Sequence, residues 1–312
     1  MKACWSSWRP STSRQNGEAD RMSDISASPS TRKLALQKGV DLEAHARKLG
    51  RTTIGPEDLD GAPAPSVSGD TSYWDVDHAQ YGPVTEEPMS RFAQVAARNL
   101  AAAQTLIPAV THHDRADVSA IEDLRSAWKA EARARSVKLT ALAFHVAALA
   151  RTLREFPRFN ASLSADGERL ILKDYVHIGI AVDTPHGLMV PVIRDADRKG
   201  LWQISTEIAD LAARAQSRKI GPDEMGGASM TISNLGGIGG TAFTPIVNPP
   251  EVAILGITRT ETVTVWEEDG PRPVPMVPLD LSYDHRVING ADAAKFLSRY
   301  AGFIADPRLL LV

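Results

Sequence analysis

The chain has 312 residues, a length that predicts one large domain or two unequal ones. Apolar residues make up 43% and charged residues 23%, which is ordinary globular composition and excludes collagen, coiled coil and bulk disorder. Lysine and arginine number 35 against 38 aspartates and glutamates. The net charge of −3 therefore argues against a general nucleic-acid binder, although it leaves room for a local basic pocket.

Cysteine content and hydropathy indicate the cellular compartment in which the protein is expected. Cys4 is the single cysteine, so the sequence offers neither a disulfide framework nor a zinc knuckle, and a cytoplasmic location is expected. No apolar run approaches the roughly 20 residues that span a bilayer, and the N-terminus lacks the apolar stretch of a signal peptide. The longest run, residues 139–150, contains His145 and predicts a buried helix.

Composition changes predict three segments ahead of a main domain. Residues 1–26 have no periodicity and predict a disordered extension, in which Met22 rather than Met1 is the hypothetical biological start. Residues 27–60 predict a miniature helical domain, and about 35 residues is below the usual limit of independent stability. Residues 61–85 are rich in proline, glycine and serine and predict a semi-flexible linker.

The main domain, residues 86–312, combines predicted helices and strands without an internal repeat. Apolar spacings of three and four predict helices at 90–104, 119–134, 140–155, 202–219 and 291–304. Runs rich in β-branched residues predict strands at 175–183, 188–193, 229–233, 252–258 and 276–283, the first two forming a pair around TPHG. Because strict βαβ alternation is missing, the pattern favours an α/β (α+β) fold with a mixed sheet covered by helices.

The stretch LDLSYDHRVINGADAAKFL, residues 279–297, places a polar loop between a predicted strand and a predicted helix. His285 lies at the strand end, near the positive N-terminus of the helix. Imidazole suits the removal of a proton from a thiol or an alcohol near neutral pH. Asn289 would cap the helix or bond a neighbouring group, and Gly290 would allow close backbone approach. The alternative is an ordinary capped strand-to-helix turn with a solvated histidine.

A second stretch, residues 226–256, pairs a predicted strand ending at Ser233 with a loop of four glycines. Glycines at this density permit unusual dihedral angles and close contact with a ligand or another backbone. The loop is not a P-loop, because no Gly-Lys-Ser/Thr follows, and it does not fit G-x-G-x-x-G. Ser233 is interpreted as a nucleophile, a hydrogen-bond donor, or simply a turn residue.

Together these stretches resemble the catalytic domain of the dihydrolipoyl acyltransferases, the core subunits of 2-oxo-acid dehydrogenase complexes. SYDHRVINGADAAKF resembles the active-site signature of that family, and TISNLGGIGGTAFTPIVNPPEVAILG resembles its second hallmark. YVHIGIAVDTPHGLMVPVIRDAD is a third block in the expected order. The sequences of the blocks are most similar to those of the acetyltransferases of pyruvate dehydrogenase complexes. The resemblance covers residues 86–312 and implies a two-layer fold like that of chloramphenicol acetyltransferase.

The resemblance also implies a mechanism. His285 would be the general base that deprotonates the thiol of coenzyme A, or of dihydrolipoamide in reverse. Ser233 would donate a hydrogen bond to the tetrahedral oxyanion and would not form a covalent intermediate. Asn289 would be a supporting polar residue, because asparagine supplies no carboxylate charge. Asp284 and Arg286 would pair to fix the loop.

Three further residues form an HHxxxD string similar to that of other acyltransferases: His112, His113 and Asp117. Val118 replaces the glycine of that motif, and the string precedes a predicted helix. We therefore interpret the string as a coincidence. His177 lies in a predicted strand and is interpreted as structural.

The family resemblance implies partners as well. Its members form trimers whose active sites lie between subunits, with the histidine and the serine supplied by different chains, and the trimers build a cubic or dodecahedral core. The apolar end of the chain, residues 309–312, agrees with burial against another subunit.

Two departures from the family pattern concern the first 85 residues. No Asp-Lys-Ala-like lipoyl turn occurs, so we expect the lipoyl group to be supplied in trans. Residues 27–60 resemble a peripheral subunit-binding domain that docks the 2-oxo-acid decarboxylase or dihydrolipoyl dehydrogenase. ARKLGRTTI replaces the glycine-containing loop in its middle, yet Arg47, Lys48 and Arg51 retain the basic character needed for electrostatic docking.

The leading hypothesis is a cytoplasmic acyltransferase that uses coenzyme A as a substrate and no metal, membrane or nucleic acid. One alternative is a scaffold subunit of a 2-oxo-acid dehydrogenase core with weak or no catalysis. The other is a coenzyme-A-dependent acyltransferase with a different small thiol, amine or hydroxyl acceptor. The sequence leaves open the acyl chain length, the size of the core and the source of the lipoyl group.

Overall fold

The computed structural model describes residues 26–28, 31, 32, 35, 40–49, 52–59, 74, 76–185 and 187–311. The chain divides into two units, Met1–Val84 and Thr85–Val312. Residues 1–25 of the predicted extension, most of the predicted linker, and Arg51 lie outside the described residues.

The first unit has a small core of its own. Its described elements are β1 (Ser26–Ala27), α1 (Leu42–Leu49), β2 (Thr53–Ile54) and a 3-10 turn at Pro56–Leu59, and β1 pairs in parallel with β2. The fully buried apolar side chains are Ala35, Ala46, Ile54 and Leu59. Within the described part of this unit, the buried apolar side chains thus number four, with Ala27, Val40 and Leu42 packed partly against them.

The second unit contains a layer of helices and a large sheet. The helices are α2 (Arg91–Leu106), α3 (Ser119–Ala127), α4 (Lys129–Ala134), α5 (Ala141–Glu155), α6 (Leu201–Gln216) and α7 (Gly290–Ala305). A 3-10 turn at Pro307–Leu311 follows α7, and Leu309 and Leu310 pack partly against the main core. No helix of the described residues is long and apolar enough to cross a membrane.

The sheet is mixed. Its strands are β3 (Ala109–Asp117), β6 (Ile178–Ile180), β7 (Val192–Ile193), β8 (Met230–Asn234), β9 (Ala253–Ile257), β10 (Glu261–Glu267) and β11 (Gly270–Asp284), while β4 (Ala161–Leu163) and β5 (Leu170–Leu172) form a separate hairpin. The order is β10-β11-β9-β8-β6-β7, with β3 also paired to β11. β8 is parallel to β6 and to β9, and the other pairs are antiparallel. The predicted α/β fold with a mixed sheet is confirmed.

Side-chain alternation along β11 separates the two faces of the sheet. Leu279, Leu281 and Tyr283 belong to the main core under the helices. Asp280 and Ser282 point to the opposite face and are also buried. That second face packs against a smaller cluster formed by Ala103, Ile107, Val247 and Ile254. Both faces of the central strands are therefore covered, and polar groups on the second face need internal partners.

α5 confirms the buried helix predicted from residues 139–150. His145 in its middle is 3% exposed, and its Nδ1 lies 2.5 Å from the hydroxyl of Tyr300 in α7. The predicted helix 119–134 is instead two helices separated at Trp128, which ends α3 and whose ring packs 5.9 Å from that of Trp202. The remaining predicted helices are present, with ends shifted by one to three residues.

The sequence patterns did not predict β3, β4, β5 and β10, and they shortened β11. β3 has a largely polar sequence, and β10 and the first half of β11 contain no long apolar run. Prolines at 271, 273 and 275 argue against a strand, because proline removes a backbone donor. β11 nevertheless begins at Gly270, since this half pairs with β10 alone.

Candidate active site

His285 lies in the short turn between β11 and α7, and its side chain is exposed. Its backbone N–H donates to the carbonyl oxygen of Pro108, just ahead of β3, at 3.1 Å. The imidazole ring lies 5.9 Å from the ring of Tyr283, which is buried in the main core. The turn therefore presents the imidazole to solvent while its backbone is fixed to a neighbouring segment.

An ion pair and a helix cap hold this turn. The guanidinium of Arg286 donates to both carboxylate oxygens of Asp284, at 2.6 Å from Nη2 and 2.9 Å from Nε, and this hydrogen bonding raises the pKa of Arg286. Because Asp284 is buried, the bidentate pairing offsets its lost hydration. The Oδ1 of Asn289 caps α7 by accepting from a backbone N–H of its first turn at 2.9 Å. Gly290 is the first residue of α7.

A cavity of about 320 Å³ opens beside the turn. Its lining includes Asp284 and Arg286, Leu106 and Ile107 at the end of α2, and the tip of the β4–β5 hairpin. Its volume falls in the range of small-molecule binding sites. The polar turn that carries His285 is thus next to a space large enough for part of a ligand.

Ser233 lies in β8, one residue before the strand ends, and is half-buried. Its partner in the neighbouring strand is Gly256 of β9. Beyond the strand the chain enters the glycine-rich loop, defined here as residues 235–243. Gly239 and Gly240 of this loop have φ angles of 149° and 87°, which glycine adopts more readily than other residues. The backbone thus turns back towards the sheet soon after the serine.

Within one chain, Ser233 and His285 are separated along the strand direction of the sheet. Ser233 is in register, through Gly256, with Asp280 of β11, whereas His285 follows Asp280 by five positions. Five residues of extended chain span about 16 Å. The hydroxyl and the imidazole of one chain therefore do not meet, and a site that uses both side chains draws them from two copies of the chain.

Asp280 is a buried carboxylate in register with Ser233 that the sequence patterns do not reveal as a site residue. It is 1% exposed, and it accepts hydrogen bonds from Nδ1 of His113 at 2.6 Å and from the backbone N–H of Phe243 at 3.2 Å. The alternation in LDLSYD predicts a polar face for this strand and is the one sequence signal for Asp280. Its partners are distant in sequence, so the contact itself carries no local signal.

The HHxxxD string lies in β3, directly ahead of α3. His113 is the member that contacts Asp280, and Oδ1 of Asp117 accepts from the N–H of Ser119 at 2.8 Å at the start of α3. His177 precedes β6 rather than lying within the strand, and its Nδ1 accepts from a backbone N–H at 2.9 Å. No group of three or more His, Cys, Asp or Glu among the described residues is arranged to hold a metal ion.

The helix-covered mixed sheet, the histidine turn after β11 and the serine ahead of the glycine-rich loop agree with the predicted acyltransferase class. The family model of the 2-oxoacid dehydrogenases acyltransferase (catalytic domain) matches residues 81–312, and the chain belongs to this family. The predicted resemblance is confirmed.

Two curated relatives are named as the dihydrolipoyllysine-residue acetyltransferase component of pyruvate dehydrogenase complex. The chain is 46% identical over 302 residues to that of Azotobacter vinelandii, covering 92% of this chain and 47% of the relative. It is 46% identical over 301 residues to that of Pseudomonas aeruginosa, covering 92% of this chain and 55% of the relative. The chain spans about half the length of the curated relatives it matches.

The solved structures that are similar to this chain include members of the same family. One is the dihydrolipoamide acetyltransferase of Azotobacter vinelandii, from work on one serine, one histidine and one asparagine in its catalytic mechanism, with 49% identity and a TM-score of 0.75 over 80% of this chain and 100% of that chain. Another is the cubic core of the pyruvate dehydrogenase multienzyme complex, with 50% identity and a TM-score of 0.75 over the same shares. A truncated catalytic core from Thermoplasma acidophilum has 37% identity and a TM-score of 0.65 over 72% and 99%.

Proposed function

We propose that the acyltransferase domain moves an acetyl group between coenzyme A and dihydrolipoamide, with the lipoyl group carried outside this domain. One observation carries the proposal. His285 follows Ser233 by 52 positions and Asn289 follows His285 by four, and the same residue types have the same spacing among the catalytic residues studied in the Azotobacter vinelandii enzyme. Equal spacing across a shared fold supports the carry-over of their roles to these three residues.

His285 acts as the general base in this mechanism. The imidazole takes the proton of the thiol, and the resulting thiolate attacks the thioester carbonyl carbon. The hydroxyl of Ser233 donates a hydrogen bond to the oxyanion that forms. When the tetrahedral intermediate collapses, the second thiolate leaves and takes the proton from the imidazolium. Asp284, Arg286, Asn289 and Gly290 support the site by fixing the turn that carries the base.

The proposal requires more than one copy of the chain. Because Ser233 and His285 of one chain are far apart along the strand direction of the sheet, the base and the oxyanion donor come from neighbouring subunits. A trimer that builds a cubic-type core satisfies this requirement and agrees with the cubic core among the similar structures. The lipoyl-bearing partner supplies the arm from outside residues 81–312.

The test is acetyl transfer from acetyl-coenzyme A to free dihydrolipoamide. We expect His285→Ala to lower kcat by about 10²–10⁴-fold, because the general base is lost. Ser233→Ala should lower kcat by about 10²–10³-fold, because one oxyanion donor is lost. His78→Ala, a change at an exposed histidine of the first unit, is the matched control and should leave kcat unchanged.

Assembly of each variant is checked by light scattering. Wild-type kcat in correctly assembled His285→Ala would contradict the assigned base. A correctly assembled wild type without turnover would favour the scaffold alternative. Release of coenzyme A with amine or hydroxyl acceptors, but not with dihydrolipoamide, would favour the other acyltransferase alternative.

We further propose that residues 27–60 form a docking domain in a cytoplasmic complex. Arg47 and Lys48 lie in the last turn of α1, where exposed cations suit an acidic partner surface such as that of a decarboxylase or dihydrolipoyl dehydrogenase. Reversal of both charges to glutamate should weaken binding of dihydrolipoyl dehydrogenase in surface plasmon resonance. Unchanged binding would contradict this role.

The proposed cytoplasmic location is a separate point. The single cysteine agrees with a reducing compartment, and fractionation of the source cells tests the location.

A further inference from the structure

The glycine-rich loop returns to the sheet at Phe243, directly beside the strand position opposite Ser233. A Cβ added to Gly256 would lie 2.7 Å from Cε1 and 2.8 Å from Cζ of the Phe243 ring, so the ring rests on the backbone of Gly256. Gly256 is the residue of β9 paired with Ser233. The position of Phe243 therefore fixes one wall next to the serine.

Asp280 holds Phe243 in this place. The carboxylate lies on the other side of Gly256 in the sheet register, and its Oδ2 accepts the backbone N–H of Phe243 at 3.2 Å. Its other oxygen accepts Nδ1 of His113 at 2.6 Å. Burying a carboxylate costs free energy unless its oxygens are hydrogen-bonded. Loss of the bond to His113 should therefore also weaken the hold of Asp280 on Phe243.

His113 connects this buried carboxylate to the surface. Its side chain is 50% exposed, while that of Asp280 is 1% exposed. With Nδ1 as the donor, the imidazole gives Oδ1 of Asp280 a hydrogen-bond partner from a side chain. Among the described residues, His113 is the one side chain that forms an ion-pair contact with Asp280.

We propose that His113 and Asp280 are positioning residues that hold the glycine-rich loop against β9 and thereby fix the oxyanion-donor side of the site at Ser233. The role rests on the proposed acyl transfer. Thr258 and Arg259 bind the same loop through the carbonyl oxygens of Thr241 and Ile238, each at 3.1 Å. These contacts hold the loop at Ile238 and Thr241, whereas Asp280 holds its end at Phe243.

The expected effect falls on the transition state rather than on binding. A misplacement of about 1 Å can reduce a rate by about 10²-fold. An interaction used only in the transition state changes kcat and leaves KM unaltered. Loss of the His113 bond should therefore lower kcat about 10-fold or more, with the KM for coenzyme A within about twofold of the wild type.

The test compares His113→Leu with His113→Asn in the full chain. Nδ2 of asparagine occupies nearly the place of Nδ1 of histidine, so His113→Asn keeps the donor and should retain kcat within about threefold. His112→Leu alters the neighbouring half-buried histidine, which faces the other side of β3, and should retain wild-type kcat. A His113→Asn variant as slow as His113→Leu would overturn the proposal.

A Ser233→Ala background separates positioning from general destabilisation. Once the hydroxyl is gone, its position no longer matters, so His113→Leu should change the residual kcat by less than about twofold. Equal loss of kcat in both backgrounds would overturn the proposal. A wild type without transfer activity would contradict the proposed function itself.

Hydrogen exchange tests the loop without reference to activity. The amide of Phe243 donates to Asp280, so peptides covering residues 235–243 should exchange faster in His113→Leu than in the wild type, His113→Asn or His112→Leu. Unchanged exchange in His113→Leu would overturn the proposed hold on the loop, whatever the outcome of the acyl-transfer assay.

Discussion

At the residue scale, burial controls the ionisation of two side chains in the second unit. Burial lowers the pKa of His145 to about 4, because its protonated form would lose hydration beside Tyr300. Burial raises the pKa of Glu251 to about 7, although Thr231 and Asn248 donate hydrogen bonds to its Oε1. Among the described residues, its Oε2 has no hydrogen-bond partner. Between about pH 4 and pH 7 the folded chain therefore holds both residues mainly in their neutral forms, and their effects on stability have opposite pH dependence.

Glu251→Gln should change how stability depends on pH above 4.5. The unfolded chain loses the Glu251 proton near pH 4.5, whereas the folded chain keeps it until about pH 7. The stabilisation is therefore full below 4.5 and falls as the pH rises to about 7, by up to about 3 kcal/mol. Glutamine keeps an acceptor for Thr231 and does not ionise, so the variant should exceed the wild type in free energy of unfolding at pH 8.

Urea unfolding at pH 5 and pH 8 measures this difference. Glu168→Gln, at an exposed position, is the matched control and should follow the wild type. A Glu251→Gln variant with the same pH dependence as the wild type would contradict the raised pKa.

His145→Asn should remove a loss of stability in acid. The unfolded chain binds a proton at this histidine near pH 6.5, and the folded chain does so only near pH 4. The contribution is therefore present above 6.5 and is lost as the pH falls to about 4, by about 3 kcal/mol. Asparagine keeps a polar atom towards Tyr300 without a titrating ring. The free energy of unfolding from pH 4 to 7 should show a shallower slope in the variant, and an equal slope would contradict the assignment.

At the element scale, close packing between the glycine-rich loop and β9 is the feature that we propose to position Ser233. Gly256 lets Phe243 rest directly on the strand, and the loop is held by Asp280 at that end. The sequence predicts both the strand and the loop, since β-branched runs and glycines are local signals. It does not predict that the loop folds back over β9.

Gly256→Ala should displace Phe243 and slow acyl transfer. The new methyl group meets the aromatic ring at a distance that real structures do not tolerate, so the ring and the loop must shift. Overpacking of this kind costs about 1–3 kcal/mol of stability. The midpoint temperature of thermal unfolding and kcat should both fall. Gly302→Ala in α7 has open space for its methyl group and should keep kcat and raise stability by up to about 1 kcal/mol. An unchanged Gly256→Ala variant would refute the contact.

At the scale of the whole molecule, the spatial separation of Ser233 and His285 within one chain determines how activity depends on assembly. The sequence resemblance implies active sites between subunits, and the register of β8, β9 and β11 supplies the physical reason. A residue pair about 16 Å apart along the strand direction cannot act on one carbonyl group. In the proposed mechanism, each complete site therefore takes one side chain from each of two neighbours.

Co-assembly of two inactive variants should restore activity. In a closed ring formed from equal amounts of Ser233→Ala and His285→Ala chains, about a quarter of the interfaces combine an intact histidine with an intact serine. The mixture, refolded together, should show about a quarter of wild-type kcat per site, whereas the variants mixed after assembly should stay inactive. A co-assembled mixture without recovery would contradict a site shared between chains.

Local sequence alone determined most of the helices, part of the strands and the family of this protein. The helix containing His145, the cap residue Asn289 and the motifs around Ser233 and His285 depend on neighbours within a few positions, so periodicity and spacing reveal them. Tertiary structure alone decided which distant residues meet. His113 reaches Asp280 across 167 positions and His145 reaches Tyr300 across 155, because non-local strand register and helix packing bring them together. The same register separates Ser233 from His285, which no spacing in the sequence could specify.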